Sequence, residues 1–150
     1  VRTAIITAFQ NYFSIYSNYG KYKKIDIAES QIKIGNHTID VSVKLTPLDN
    51  SLPESLLIPI KTRETEGGGH SHIFTRDIIA AVRELKEDES KYYIVAVIVA
   101  LNWSISELEN INNQIDKVYH FNVNPNKFIG FDDASQIDLN RYIQGILNND

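Results

Sequence analysis

Cysteine and methionine are both missing from these 150 residues. Without cysteine there is no disulfide frame and no thiolate for catalysis or zinc, which fits a reducing, cytoplasmic setting. The lack of methionine, with Val1 opening directly in a helical pattern, fits either a removed initiator or, as the favoured expectation, a domain cut from a longer protein. Long apolar runs are missing too. The longest, Tyr92–Leu101, falls well short of the roughly 20 residues of a membrane span and suits a buried strand instead. No membrane partner is therefore expected. Hydrophobic residues make up 43% and charged residues 23%, enough for one domain with a core. There is no internal repeat, no low-complexity segment and no linker, so residues 1–150 read as a single domain.

Positive charge is in short supply overall. Lys and Arg number 15 against 19 Asp and Glu, a net charge of −4, which argues mildly against nonspecific nucleic-acid binding. The balance is uneven, however. Residues 1–86 carry 11 basic against 9 acidic groups, and residues 87–150 carry 4 against 10. A polyanion would meet the first part rather than the acidic tail.

Taken in order, Ile5, Ile6, Phe9, Tyr12, Phe13 and Tyr16 recur at helical spacing and predict a helix over 3–19, with Gly20 as its C-cap. Lys21, Lys23 and Lys24 follow, suited to the helix's negative end or to a phosphate. Residues 31–45 alternate as a hairpin around Gly35-Asn36, with Ile39, Val41, Val43 and Leu45 on one face and Asp40, Ser42 and Lys44 on the other. A third strand is expected over 56–62, where Leu57, Pro59 and Lys61 share one face and Ile58 and Ile60 the other. Pro59 is awkward there because it has no N–H for a ladder. Three glycines, 67–69, and a His-Ser-His triplet lead to a helix from Thr75 to about Lys86. Residues 91–100 form a β-branched run suited to a strand buried on both faces. Ser104–Glu107 is a capping-box pattern opening a helix to about Asn113. A further strand is expected over 118–123, and a last helix over about 134–147.

Lys61 is the residue that stands out, because it lies inside an apolar strand. Desolvating an unpaired ammonium costs several kcal/mol, roughly, so a partner is expected. If the second hairpin strand pairs with the third strand, the Asp40 carboxylate and the Lys61 amine converge at one end of the sheet. The alternatives are a solvent-facing Asp40 and a Lys61 that snorkels from an edge strand beside Pro59.

The order helix, hairpin, strand, helix, strand over roughly residues 3–100, with Asp40 and Lys61, resembles the PD-(D/E)XK nucleases. The stretch IPIKTRETEGGGHSHIFTRDI is similar to type II restriction enzymes, in which a strand, a glycine-rich turn and an Arg-Asp helix start follow one another. The resemblance implies an α/β fold, a mixed sheet with a restriction-endonuclease-like αβββαβ core flanked by helices. It implies Mg²⁺-dependent hydrolysis of phosphodiester bonds in double-stranded DNA. It implies Asp40 as metal-binding aspartate and Lys61 as the lysine of the motif. Two strands need two active sites, so a homodimer or larger homo-oligomer is implied as well.

The pattern departs from the family at Pro59, where an acid is expected. Glu29, Asp77, Glu64, Glu66 and Glu84 are the candidates to replace it, with Glu29 as a third catalytic group and Asp77 as a second metal ligand ranked first. Arg63, His70, His72 and Arg76 lie just beyond the presumed site and are candidates for DNA contact. His70 and His72 lack the further ligands that zinc needs. The glycine run is not a Walker A loop, since no Gly-Lys-Ser/Thr follows. Asn122, Asn124 and Asn126 suit either adenine edges or a turn. The rival reading is a non-catalytic DNA-binding or assembly domain on a nuclease-like scaffold with a broken motif.

Overall fold

The computed structural model describes residues 1–16, 19–34, 37–63, 92–101 and 115–148. Helix α1 (Arg2–Ile15) is followed by β1 (Tyr22–Ile27), the short pair β2 (Ile32–Ile34) and β3 (His37–Ile39), then β4 (Val41–Pro47). Next come β5 (Glu54–Ile58), β6 (Ile60–Arg63), β7 (Tyr92–Ala100), β8 (Lys117–Phe121) and helix α2 (Asp133–Asn148). The architecture is mixed α/β, built on a mixed sheet with flanking helices.

In the main sheet β1 pairs antiparallel with β4, and β4 antiparallel with β5. β5 and β6 then run parallel along one edge of β7, and β8 runs parallel along its other edge. Ser55 faces Tyr92 and Ile60 faces Val97, so the register is unchanged across Pro59. The predicted strand over 56–62 is therefore one line of chain, interrupted at its proline. The predicted hairpin over 31–45 is divided differently. β2 and β3 form their own two-stranded sheet, and the chain breaks at Asp40 before β4 joins the main sheet. β4's neighbours are β1 and β5, and β1 occupies the stretch of lysines that the sequence pattern left outside any strand.

Two apolar layers cover the sheet. Ile5, Ala8, Phe9 and Tyr12 of α1 and Leu139, Ile143, Ile146 and Leu147 of α2 pack on Val41, Val43, Leu45, Leu56, Ile58, Val95, Val97 and Val99. The opposite face carries Leu57, Ile94, Ala96, Ile98 and Ala100, packed with Ile39 and Ile115. β7 is thus apolar on both faces, as an inner strand of a parallel region must be. Burying a Leu, Ile or Phe side chain is worth about 1.5–3 kcal/mol, so these layers set the sheet's register.

α1 ends earlier than the sequence pattern predicts, because Tyr16 is already extended and stacks on Tyr12 at 4.7 Å. Gly20 does not cap it. With φ +58, Gly20 lies against the end of α2, where a Cβ would sit 2.1 Å from the Leu147 carbonyl oxygen. Lys21 N–H donates to that same carbonyl at 3.0 Å. No described helix is long and apolar enough to cross a membrane. The helices expected over about 75–86 and 104–113 lie outside the described residues.

Candidate active site at the proline break

The site is built from a defect in a hydrogen-bond ladder. In a strand, the N–H and C=O of one residue point to the same side, and the next residue's pair points to the other. The Pro59 carbonyl accepts from Val97 N–H at 3.0 Å, so it faces β7. The N–H and C=O of Ile60 then face the β4 side. β4 begins only at Val41, opposite Ile58, and has no strand residue left to pair with Ile60. A half-buried N–H without a partner costs about 1–3 kcal/mol. Asp40 supplies the partner, and its Oδ2 accepts from Ile60 N–H at 2.9 Å.

Two further contacts hold Asp40 in place. Its Oδ1 accepts from Gln31 Nε2 at 3.2 Å. Its main-chain oxygen accepts from Arg2 Nε at 2.7 Å. The same guanidinium donates through Nη2 to the Glu29 carbonyl at 3.1 Å. The first turn of α1 therefore ties Glu29 and Asp40 together by their main chains. Arg2 and Gln31 were not legible as site residues. Neither belongs to a motif, and only the folded chain brings positions 2, 29, 31 and 40 into one place.

Lys61 follows Ile60 directly and lies opposite Ile98 in the β6–β7 ladder. Ile60 and Val41 both pack with the helix-side core. Strand alternation therefore puts Lys61 toward the other face, whereas Asp40 sits at the break between β3 and β4, with Ile39 in one apolar layer and Val41 in the other. Lys61 is half-buried, Asp40 is half-buried and Glu29 is exposed. Among the described residues no ion pair links Lys61 to Asp40. The Asp40 carboxylate instead meets the main chain at Ile60, the residue before Lys61.

Of the other predicted site residues, Arg63 ends β6 opposite Ala100, and its backbone alone is described. His70, His72, Arg76 and Asp77, with Glu64, Glu66 and Glu84, lie outside the described residues. Among the described residues no group of three or more His, Asp or Glu side chains is placed to hold a metal. The donors at the break are nonetheless of the right kind for Mg²⁺, which takes hard oxygens and retains several waters. The Ile60 carbonyl faces the β4 side, the side on which the Asp40 carboxylate accepts from Ile60 N–H. One carboxylate with a carbonyl and a substrate phosphate is an adequate, minimal set.

Elsewhere the titratable groups serve the fold. At the far end of the β4–β5 pair, a hollow of about 400 Å³ lies among Lys21, Tyr22, Asp49 and Glu54. Tyr93 donates to the buried Glu54 at 3.3 Å. Burial, and then Glu54 and Tyr93, push the Tyr22 phenol far above its ordinary range. Burial, and then Asp138, do the same to Tyr119, which donates to Asp138 at 2.7 Å. Neither phenol can serve as a base near neutral pH. Asn124 caps the short 3₁₀ turn Pro125–Lys127 by accepting from Asn126 N–H at 2.8 Å, so it is a turn former.

No family model matches the chain, and no curated protein matches its sequence. Among solved structures, a complex of EndoMS with double-stranded DNA aligns with it at a TM-score of 0.38 and 12% identity. The alignment covers 81% of this chain and 46% of that one, so this chain spans less than half of the protein it is compared with. Similarity this shallow establishes neither a fold family nor an activity.

Proposed function

We propose that this chain is a Mg²⁺-dependent endonuclease of the restriction-enzyme type, hydrolysing phosphodiester bonds in double-stranded DNA. One observation carries the reading. The carboxylate of Asp40 accepts from the main-chain N–H of Ile60, the residue before Lys61, which supports an acid and a strand lysine acting together as the PD-(D/E)XK resemblance implies. In this reading Asp40 and the Ile60 carbonyl hold Mg²⁺. The bound ion supplies charge neutralisation at the phosphate and lowers the pKa of an attached water. Lys61 orients the attacking water and stabilises charge developing on the phosphate oxygens. Glu29, tied to Asp40 through Arg2, is the third catalytic group. Asp77 is a second metal ligand, and Arg63, His70, His72 and Arg76 contact DNA. Cutting both strands calls for a homodimer or larger assembly, and the cytoplasm is the setting that a cysteine-free nuclease fits.

A second reading has its own support. Both Asp40 oxygens already accept hydrogen bonds within the protein, and Pro59 stands where the family carries an acid. This favours a DNA-binding or assembly domain in which Asp40 only closes the ladder. Incubation with supercoiled plasmid and Mg²⁺ separates the two. The endonuclease reading expects nicked and linear DNA from the wild type. It expects at least a 100-fold loss of rate in Lys61→Ala with binding retained in Ca²⁺. Equal cutting by Lys61→Ala rules out the lysine assignment. Salt-sensitive binding without any cutting supports the domain that only binds.

A further inference from the structure

Gln31 holds a position that no motif assigns to it, and its chemistry is two-sided. A carboxamide carries a donor nitrogen and an acceptor oxygen on one planar group, interchanged by rotation about a single torsion. In this structure its nitrogen donates to Asp40 Oδ1 at 3.2 Å. That contact is long and exposed, so it adds little stability and is cheap to give up. Asp40 Oδ2 is committed to the Ile60 amide at 2.9 Å. Oδ1 is thus the oxygen from which a cation would be held. With its NH₂ directed at Oδ1, Gln31 would set a partial positive charge against that cation. Rotated by half a turn, it presents a hard carbonyl oxygen to the same point.

We infer that Gln31 is a metal ligand of this chain, its carboxamide oxygen joining Asp40 Oδ1 and taking the place of the acid absent at Pro59. The inference rests on the proposed metal-dependent function and names the residue that completes its donor set. Gln31 reaches the site from the loop between β1 and β2, not from the strand that carries Lys61. The loop is held there because Arg2 binds the carbonyl of Glu29, within it, together with that of Asp40. A neutral ligand leaves the site with less negative charge than a pair of carboxylates would. The affinity of the DNA-free protein for divalent ions is then low, and the substrate phosphate becomes part of the binding site.

The test is a titration of Mn²⁺ alone into DNA-free protein, followed by calorimetry, with wild type, Gln31→Ala, Gln31→Glu and Asp40→Asn. Melting temperatures in EDTA serve as the control for folding. Gln31→Ala should weaken Mn²⁺ binding about tenfold. Gln31→Glu should tighten it about tenfold or more, because a carboxylate of the same length replaces the amide. Asp40→Asn should abolish it. Unchanged affinity in both Gln31 variants, with binding still lost in Asp40→Asn, overturns the role of Gln31 and leaves the metal site standing. No Mn²⁺ binding by the wild type, and none gained in Gln31→Glu, overturns this inference together with the metal-dependent function on which it rests.

Discussion

Asp40 is a structural residue whatever else it does, and this can be measured. In Asp40→Ala the Ile60 amide loses its acceptor, and no β4 residue is placed to replace it. A hydrogen bond to a charged acceptor is worth about 1.5–3 kcal/mol, and an orphaned half-buried N–H is comparably costly. A loss of about 2 kcal/mol is expected. In a chain of this size that lowers the melting temperature by about 4–8 °C. Asp40→Asn keeps an oxygen for Ile60 N–H and gives up the charge and the exposed contact from Gln31, so its loss should be about half as large. The effect is local as well as global. Hydrogen exchange at the Ile60 amide should speed up roughly 30-fold in Asp40→Ala where it proceeds by local opening, since every 1.4 kcal/mol is a factor of ten. Thermal melts and amide exchange by NMR measure both. If Asp40→Ala melts within 1 °C of wild type and Ile60 exchanges at the wild-type rate, the carboxylate does not close the ladder.

Two other perturbations bear on how the frame is held. Gly20→Ala forces a side chain into φ +58 and onto the Leu147 carbonyl; about 3 kcal/mol or more should be lost in urea denaturation, and a loss below about 1 kcal/mol would contradict the close approach. The Asp138 carboxyl is held below its usual range by hydrogen bonds from Lys117 and then Tyr119. A depressed folded-state pKa stabilises above the unfolded value, near 3.9, and that contribution disappears as pH falls through the folded value. Wild type should therefore lose its advantage over Asp138→Asn as pH drops from about 5 to below 3. A difference in urea midpoint that stays constant over that window would contradict the assignment.

The elements with strong periodicity were legible in the sequence. α1, β7, β8 and α2 lie close to where their apolar spacing puts them, because burial of a stripe or of both faces selects those residue types directly. The face assignment of the third strand was legible too, with Ile58 and Ile60 in the helix-side core and Leu57 in the opposite one. β1 was not. Its lysines on an edge strand look like a solvated loop, and only pairing with β4 makes Tyr22–Ile27 a strand. Gly20 was misread for a related reason. A glycine after a helical stripe suggests a cap, whereas the demand on it comes from Leu147, far along the chain. Of the candidate site, Lys61 could be singled out in advance because a lysine in an apolar run is an anomaly, and Asp40 was named only through the resemblance. Arg2 and Gln31 could not, since neither is unusual where it stands.

By itself the sequence determined that the chain is a mixed α/β domain with an apolar inner strand and a proline in the strand that carries Lys61. Hydrophobic period and proline chemistry are local, so they can be read without coordinates. What only the tertiary structure decided is the meeting of Asp40 with the Ile60 amide, and the arrival of Gln31 and Arg2 beside it. That meeting depends on where β4 begins relative to Pro59. Strand register is a property of packed layers, and no single stretch of chain contains it.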